Sequence, residues 1–469
     1  MRIYFIGICG TAMGNVALSL RARGHDVAGS DRGIYPPMSE VLSEAAIELH
    51  DGFDRRFLAG WAPELVVVGN AASRGNDQLE YMLEQRSIPF ISMPEAVRRF
   101  LLEDRDRMVV AGTHGKTTTS CAAAFLLQTA GFQPGYLIGG VPQDLDSGAN
   151  LGSLGAPFVL EGDEYDSAIF DKRSKFQHYF PNILLVNNLE FDHGDIFLND
   201  SDYLRSFTHL VRLVPTNGTI LINADDPQCL SLAENAYCRI QSVGFGSDAD
   251  YRIFDFEDDS LGSKFKVRGP RGLICEMSAR LNAAFNARNL VMAAVGSALL
   301  VGDEARWGEF LEILSEFQGV KRRMELRFES DACCIFEDFG HHPTAIGSSL
   351  ESLKRRFPEH ELWVAFEPRS NTTVTNRFQA ELEHAFEKAD HLHIAPIFRI
   401  ERIEQSDRLA PKSLITRSGS QGESWDDWSK FESYLVDQMV ASARKRILVF
   451  FSNGSFNGLI TSVTKALKG

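Results

Sequence analysis

Cysteine is scarce in this chain: 7 residues among 469, with Cys333 and Cys334 adjacent and no C-x-x-C spacing anywhere. That excludes a disulfide framework and leaves a zinc–thiolate site without sequence support. Long apolar runs are missing as well. The longest stretch without a charge, Thr117 to Gln143, is broken by Ser, Thr, Gln, Gly and Pro, and no segment offers the ~18 apolar residues that a membrane span needs. Positive charge is in deficit, with 48 Lys and Arg against 63 Asp and Glu and a formal net charge of −15. A general nucleic-acid binder needs a basic face to displace counterions, so that class is set aside. What remains is 44% hydrophobic and 24% charged, which excludes a disordered chain. The length suffices for about three domains of roughly 150 residues. The opening MRIYFIGICG reads as a strand entering a glycine turn, not as a signal peptide, so the expectation is a cytoplasmic protein with neither nucleic acid nor membrane as partner.

Short apolar runs alternate with amphipathic segments, the pattern of α/β architecture with parallel sheets. The strand candidates are Arg2–Ile8, Asp26–Gly29, Leu65–Val68 and Pro89–Ile91, then Met108–Ala111, Phe158–Leu160, Asn182–Val186 and Thr219–Ile222. From Tyr251 to Met277 strands alternate without helices around a hairpin turn at Gly269-Pro-Arg-Gly272, a small β excursion. The α/β rhythm resumes with Cys333–Phe336, Glu361–Phe366, His391–Ala395 and Ile447–Phe451. Charged segments before new strands, near residues 98–107 and 321–323, divide the chain into units 1–105, 106–325 and 326–469.

Gly7-Ile-Cys-Gly10-Thr-Ala-Met-Gly14 follows a strand and opens a helix, so backbone N–H groups and a helix N-terminus can face an anion. A dinucleotide fingerprint needs glycine at positions 9 and 12, where this chain has Cys9 and Ala12. The turn is either a tight βα connection or a phosphate site of another kind, with Asp31 at the end of the second strand as a ribose partner.

Ala111-Gly112-Thr113-His114-Gly115-Lys116-Thr117-Thr118-Thr119 is more specific. A buried strand feeds it, and the helix-forming run Ser120–Gln128 leaves it, ending near Gly131. Such a loop holds phosphate oxygens on its N–H groups, with Lys116 in reach of the β/γ-phosphates and the Thr117 hydroxyl available to Mg²⁺. The usual first glycine would fall at Val110; it stands instead at Gly112, a tighter loop. Two later strands end in polar clusters, Glu161-Gly-Asp-Glu-Tyr-Asp166 and Asn187-Asn-Leu-Glu-Phe-Asp-His193. Each is either a solvated turn or, beside a phosphate loop, a source of the oxygen and imidazole ligands that metal-assisted phosphate chemistry needs. Lys172, Arg173 and Lys175 form a basic patch that is equally readable as a solvated face.

Together these segments resemble the Mur ligases, the ATP-dependent amide-forming enzymes of peptidoglycan synthesis. The phosphate loop, Glu161–Asp166, Asn188-Leu-Glu-Phe-Asp-His193, Asn286-Ala-Arg-Asn289 and Asp338-Phe-Gly-His-His-Pro343 occur in that family's order. Tyr35-Pro-Pro-Met38, Phe170–Phe176, Gly319-Val-Lys-Arg-Arg323 and Glu367-Pro-Arg-Ser-Asn-Thr372 resemble one branch in particular. That branch joins UDP-N-acetylmuramate to the recycled tripeptide L-alanyl-γ-D-glutamyl-meso-diaminopimelate.

The resemblance implies three α/β domains: a Rossmann-like UDP-binding domain, a central phosphate-loop ATPase domain carrying the β excursion, and a Rossmann-like domain for the amine. It implies ATP and Mg²⁺. The loop Gly112, Thr113, His114, Gly115, Lys116, Thr117 and Thr118 would hold the nucleotide, Thr117 and Glu164 one Mg²⁺, and His193 a second. Asn286 and Asn289 resemble the adenine-contacting pair, with Phe285 where the family commonly has histidine. Asp338, His341 and His342 would close over the nucleotide, and His114, Lys321 and Arg322 would meet the sugar nucleotide or the transferred phosphate. Gly10, Thr11, Met13, Ser30, Asp31, Asn70, Ala71 and Ser73 resemble the uridine-diphosphate site, and Arg369, Ser370 and Asn371 would take the peptide, with Arg369 as a bidentate carboxylate clamp. The implied reaction phosphorylates the muramyl carboxylate to an acyl phosphate, which the amine then attacks. Two other activities stay open: addition of free L-alanine to the same sugar nucleotide, and a phosphate-loop ATPase or binding module without ligation.

Overall fold

The computed structural model describes residues 1–36, 38–191, 196–440 and 444–468. Its backbone is organised on three sheets in succession. Residues 2–92 build a five-stranded all-parallel sheet in which Arg2–Ile6 lies between Asp26–Asp31 and Leu65–Val68, with Glu48–Asp51 and Phe90–Ser92 at the edges. Residues 107–279 build a ten-stranded sheet, and residues 325–451 a six-stranded one, parallel except for its edge strand Glu325–Glu329.

The central sheet explains itself from its strands. Met108, Val109, Val110 and Ala111 are all fully buried, the signature of a parallel strand covered on both faces. Met108 and Val110 face a core shared with the helices Lys116–Thr129 and Ala284–Leu300, while Val109 and Ala111 face the opposite core. Ala284–Leu300 carries apolar or small residues on all sides and is buried almost throughout, as a helix between layers must be. The β excursion is not a separate body. Val243 pairs with Tyr251, so Tyr251–Asp259, Gly262–Arg268 and Ile274–Ala279 extend the central sheet as an antiparallel meander. The turn at Gly269 closes with hydrogen bonds from Gly269 N to Leu273 O (2.9 Å) and Gly272 N to Gly269 O (3.3 Å).

Register sets the site. Ala111 pairs with Val186 and Val110 with Glu161, so three strands of the central sheet end side by side. In the last sheet Phe451 pairs with both Asp338 and Phe366. Each sheet thus offers a row of carboxyl ends, the edge where α/β folds bind ligands.

The last sheet buries one conspicuous polar group. His393 is 1% exposed, stacks on Trp363 (centroids 5.3 Å, 19°) and abuts Tyr434, and among the described residues neither of its ring nitrogens has a hydrogen-bond partner. Burial, with His391 nearby, pushes its pKa down from 6.5 to about 3. The unfolded chain takes up this proton near pH 6.5 and the folded chain only near 3, so stability erodes as pH falls through that window. Replacing His393 by Phe removes an unpaired buried polar group at similar shape. It is expected to stabilise the fold by about 1 kcal/mol and to flatten the loss of stability between pH 7 and pH 4 in denaturant titrations. An unaltered pH slope would refute the assignment.

Candidate active site

The phosphate loop runs from the strand Arg107–Ala111 to the helix Lys116–Thr129. Gly112 (φ +130°) and Gly115 (φ +80°) adopt conformations that side chains rarely tolerate. A Cβ at Gly112 would lie 2.8 Å from Asn188 O, and one at Gly115 would lie 2.7 Å from both Asn187 Nδ2 and Asn289 Oδ1. The loop is held from the neighbouring strand end: Thr113 N donates to Asn188 O (2.9 Å), His114 N to Asn188 Oδ1 (2.7 Å), and the Thr113 hydroxyl to Glu190 O (2.8 Å) while also meeting Tyr203 Oη (2.7 Å).

Lys116 Nζ donates to Gly112 O (2.6 Å) and Thr113 O (3.2 Å) and pairs with Glu164, whose side chain is 1% exposed, at 2.9 Å. Burial works to strip the lysine of its proton, but Glu164, Glu161 and Asp163 together outweigh it and its pKa lies above the ordinary value. The Thr117 hydroxyl donates to Glu161 Oε1 (2.9 Å), and Glu161 Oε2 accepts from Gly139 N (2.7 Å). The Asn286–Asn289 pair is also joined: Asn187 Nδ2 donates to Asn289 Oδ1 (3.2 Å) and Asn289 Nδ2 to Asn286 Oδ1 (3.2 Å).

A cleft of about 1090 Å³ opens here, lined from all three sheets. The first contributes Thr11, Ala12 and Asn15; the central one the loop 113–118, Glu161, Glu164, Lys175, Glu190, Phe285, Asn286 and Asn289; the last one Asp338, His341, His342, Ser370, Asn371 and Asn453. Asp338 accepts from Met324 N (2.7 Å) and Gly340 N (2.5 Å), and burial raises its pKa against the pull of Arg323 and these two amides. Of the basic patch, Lys175 faces the cleft, bound to Asp163 (2.6 Å); Lys172 and Arg173 pair instead with Asp166 and Asp171.

Several expected residues lie elsewhere. Arg322 does not reach the cleft; its guanidinium binds Glu337 (2.7 Å) and the carbonyls of Ser452 and Gly454. Arg323 lines the cleft in its place, 3.4 Å from the Thr117 hydroxyl. Positive φ at Arg322 (+62°) and Met324 (+48°) twists this segment so that adjacent arginines diverge, which a bare Lys-Arg-Arg run does not reveal. Lys321 is exposed, its backbone N–H bound to Val141 O (3.0 Å). Arg369 stacks on Phe398 (4.2 Å) and pairs with Glu367 (3.2 Å) in a second cavity of about 320 Å³, whereas its neighbours Ser370 and Asn371 face the main cleft. In the first sheet Ser30 is fully buried and donates to Gln78 Oε1 (2.6 Å), and Met13 is packed in the core. Asp31 accepts from Cys9 N and Arg32 N (2.8 Å each), bracing the turn that carries the exposed Gly10 and Thr11; Asn70, Ala71 and Ser73 are exposed on the neighbouring strand end. His193 lies outside the described residues. Sequence reasoning gave Glu161 no role of its own, although its place at a strand end three residues before Glu164 was the available signal.

The geometry defines a protein with a glycine loop of the phosphate-loop kind, whose lysine and threonine face a cleft roofed by a second α/β sheet. Comparison with known proteins makes this specific. Residues 2–105 match the Mur ligase family catalytic domain and residues 110–297 the Mur ligase middle domain. The chain is 37% identical over 98% of its length, and 96% of the relative's, to the UDP-N-acetylmuramate–L-alanyl-γ-D-glutamyl-meso-2,6-diaminoheptandioate ligase of Escherichia coli K12. It is 31% identical, over 85% of its length and 84% of the relative's, to the UDP-N-acetylmuramate–L-alanine ligase of Rubrobacter xylanophilus. The crystal structure of a murein peptide ligase from Psychrobacter arcticus superposes with a TM-score of 0.72 at 33% identity, covering 100% of this chain and 98% of that one. The chain belongs to the Mur ligase family.

The loop's backbone yields a direct test. Gly115→Ala is expected to destabilise the protein by about 1–3 kcal/mol, the cost of a left-handed non-glycine residue, and to weaken nucleotide binding measured by calorimetry. Wild-type stability and affinity in this variant would show that the loop does not need this conformation.

Proposed function

We propose that the chain is an ATP- and Mg²⁺-dependent ligase joining UDP-N-acetylmuramate to L-alanyl-γ-D-glutamyl-meso-diaminopimelate, a step of cell-wall peptide recycling. The observation that carries this reading is the facing of Lys116, Thr117 and Glu164 by Asp338, His341, Ser370 and Asn371 across one cleft. The units 1–105, 106–325 and 326–469 act as domains for the sugar nucleotide, ATP and the peptide.

A carboxylate is a poor electrophile, so amide formation in water needs activation. The muramyl carboxylate attacks the γ-phosphorus of ATP with loss of ADP; the peptide amine then attacks the acyl phosphate, and inorganic phosphate leaves. Positioning and charge stabilisation dominate phosphoryl transfer. Lys116, protonated and held at the start of a helix, neutralises charge on the phosphates, and the N–H groups of the loop fix their oxygens. The donors around Thr117, Glu161 and Glu164 are hydroxyl and carboxylate oxygens, which fit Mg²⁺. When bound, Mg²⁺ offsets the repulsion between triphosphate and carboxylate. Closure of the last domain over the loop shields the acyl phosphate from water. Ser370 and Asn371, which face the cleft, offer hydrogen-bonding groups to the peptide, while Arg369, neutralised by Glu367, keeps to the neighbouring cavity.

The relative that adds L-alanine supports a second reading, in which the amine is the free amino acid. Phosphate release measured with ATP, UDP-N-acetylmuramate and either amine separates the two. Turnover is expected with the tripeptide, and turnover with alanine alone defeats the proposal. Lys116→Ala is expected to lower kcat by ~100-fold or more, in line with removal of one charge-stabilising donor, while UDP-N-acetylmuramate still binds. Retained turnover would break the link between this loop and the chemistry.

A further inference from the structure

Three side chains from separate segments converge at one point of the cleft. His114 comes from the phosphate loop, Glu190 from the turn after the strand Ile183–Val186, and His342 from the N-terminal end of the helix Pro343–Arg356. His114 Nε2 lies 3.3 Å from Glu190 Oε2 and 3.2 Å from His342 Nδ1, and the latter two atoms are 3.5 Å apart. These are the sides of a nearly equilateral triangle.

The two sides that meet at His114 Nε2 are within hydrogen-bond reach and the third is longer, so at most two of the three contacts are hydrogen bonds. A tetrahedral Zn²⁺ has bonds of about 2.0–2.1 Å to His nitrogen and carboxylate oxygen, which sets its ligand atoms about 3.3–3.4 Å apart. The observed sides bracket that spacing. The two imidazoles are preset, His342 packing edge-on to Phe378 (5.1 Å) and His114 tilted against His342 (4.6 Å).

We propose that His114 Nε2, Glu190 Oε2 and His342 Nδ1 form a binding site for a Zn²⁺-class transition-metal ion, which fastens the phosphate loop to the last domain and leaves one coordination position open. The site goes beyond the ligase reading and does not depend on it. Imidazole favours Zn²⁺ and Co²⁺ over Mg²⁺, so the preference is for ions other than the one that serves phosphate transfer.

The test titrates Co²⁺ into the full-length, chelator-stripped protein in excess Mg²⁺, with its free thiols alkylated, and follows visible absorption and melting temperature. Expected are the intense bands of four-coordinate Co²⁺ saturating at one equivalent, their loss on adding Zn²⁺, and a rise in melting temperature. His342→Gln and Glu190→Gln are each expected to weaken Co²⁺ binding by ~100-fold or more, at least the loss seen when groups behind metal ligands are removed. The melting temperature without metal reports whether each variant is folded, and either folded variant suffices. Weak six-coordinate spectra in the wild type, or four-coordinate spectra retained in a folded variant, overturn the proposal.

Discussion

The buried pair between Lys116 and Glu164 is the constraint on which the rest of the cleft is built. Placing both charges out of water costs several kcal/mol apiece and is recovered only when the geometry satisfies the remaining donors. Here the ammonium has two loop carbonyls and a carboxylate 2.9 Å away. Because those carbonyls belong to Gly112 and Thr113, the pair pulls the loop over the end of the strand Phe158–Glu161. Thr117 can then face Glu161, and Asn188 can receive the loop's N–H groups from the other side. The two glycines are required by this closeness, since the atoms of Asn187, Asn188 and Asn289 occupy the space a side chain would take.

The last sheet is held over this arrangement by charge as well as by shape. Asp258, in the meander of the central sheet, has a fully buried carboxylate that accepts from Arg355 at 2.5 and 2.7 Å, and Arg356 reaches the carbonyl of Asp259. Both arginines lie on the helix that His342 begins. The β excursion therefore supports the far end of the helix whose near end enters the cleft. Arg377 over the ring of Phe191 (4.7 Å) adds a third contact between the same two sheets. A chain with net charge −15 thus keeps cations at the joins and along the cleft, where anionic ligands and buried carboxylates need them.

Much of this was legible in the sequence, for a physical reason. Buried parallel strands must be continuous apolar runs, so Leu65–Val68 and Glu361–Phe366 match the observed bounds and Met108–Ala111 misses by one residue. Several of the strands that sequence reading does not name lack that signature. Glu48–Asp51 and Gln421–Ser424 are polar edges, and Arg239–Gly244 begins exposed. At the site, the loop and the acidic strand ends are contiguous motifs and could be read directly. The divergence of Arg322 from Arg323, the burial of Ser30, and the separation of Arg369 from Ser370 depend on backbone twist and on partners far along the chain. Composition and spacing carry no such information.

Two kinds of donor share one cleft, and their chemistry keeps them apart. Around Thr117 the available atoms are hydroxyl and carboxylate oxygens, hard ligands that suit an ion which keeps its own water. Around His114 and His342 they are two imidazole nitrogens and the Glu190 carboxylate, a set that suits Zn²⁺ better than Mg²⁺. The two sets are divided by the phosphate loop itself, with His114 and Thr117 on either side of Gly115 and Lys116. A single short loop therefore presents a different class of ligand to each side. Among the described residues, the imidazole group includes a residue of the last domain, His342, so an ion bound there would be coupled to how the sheets meet.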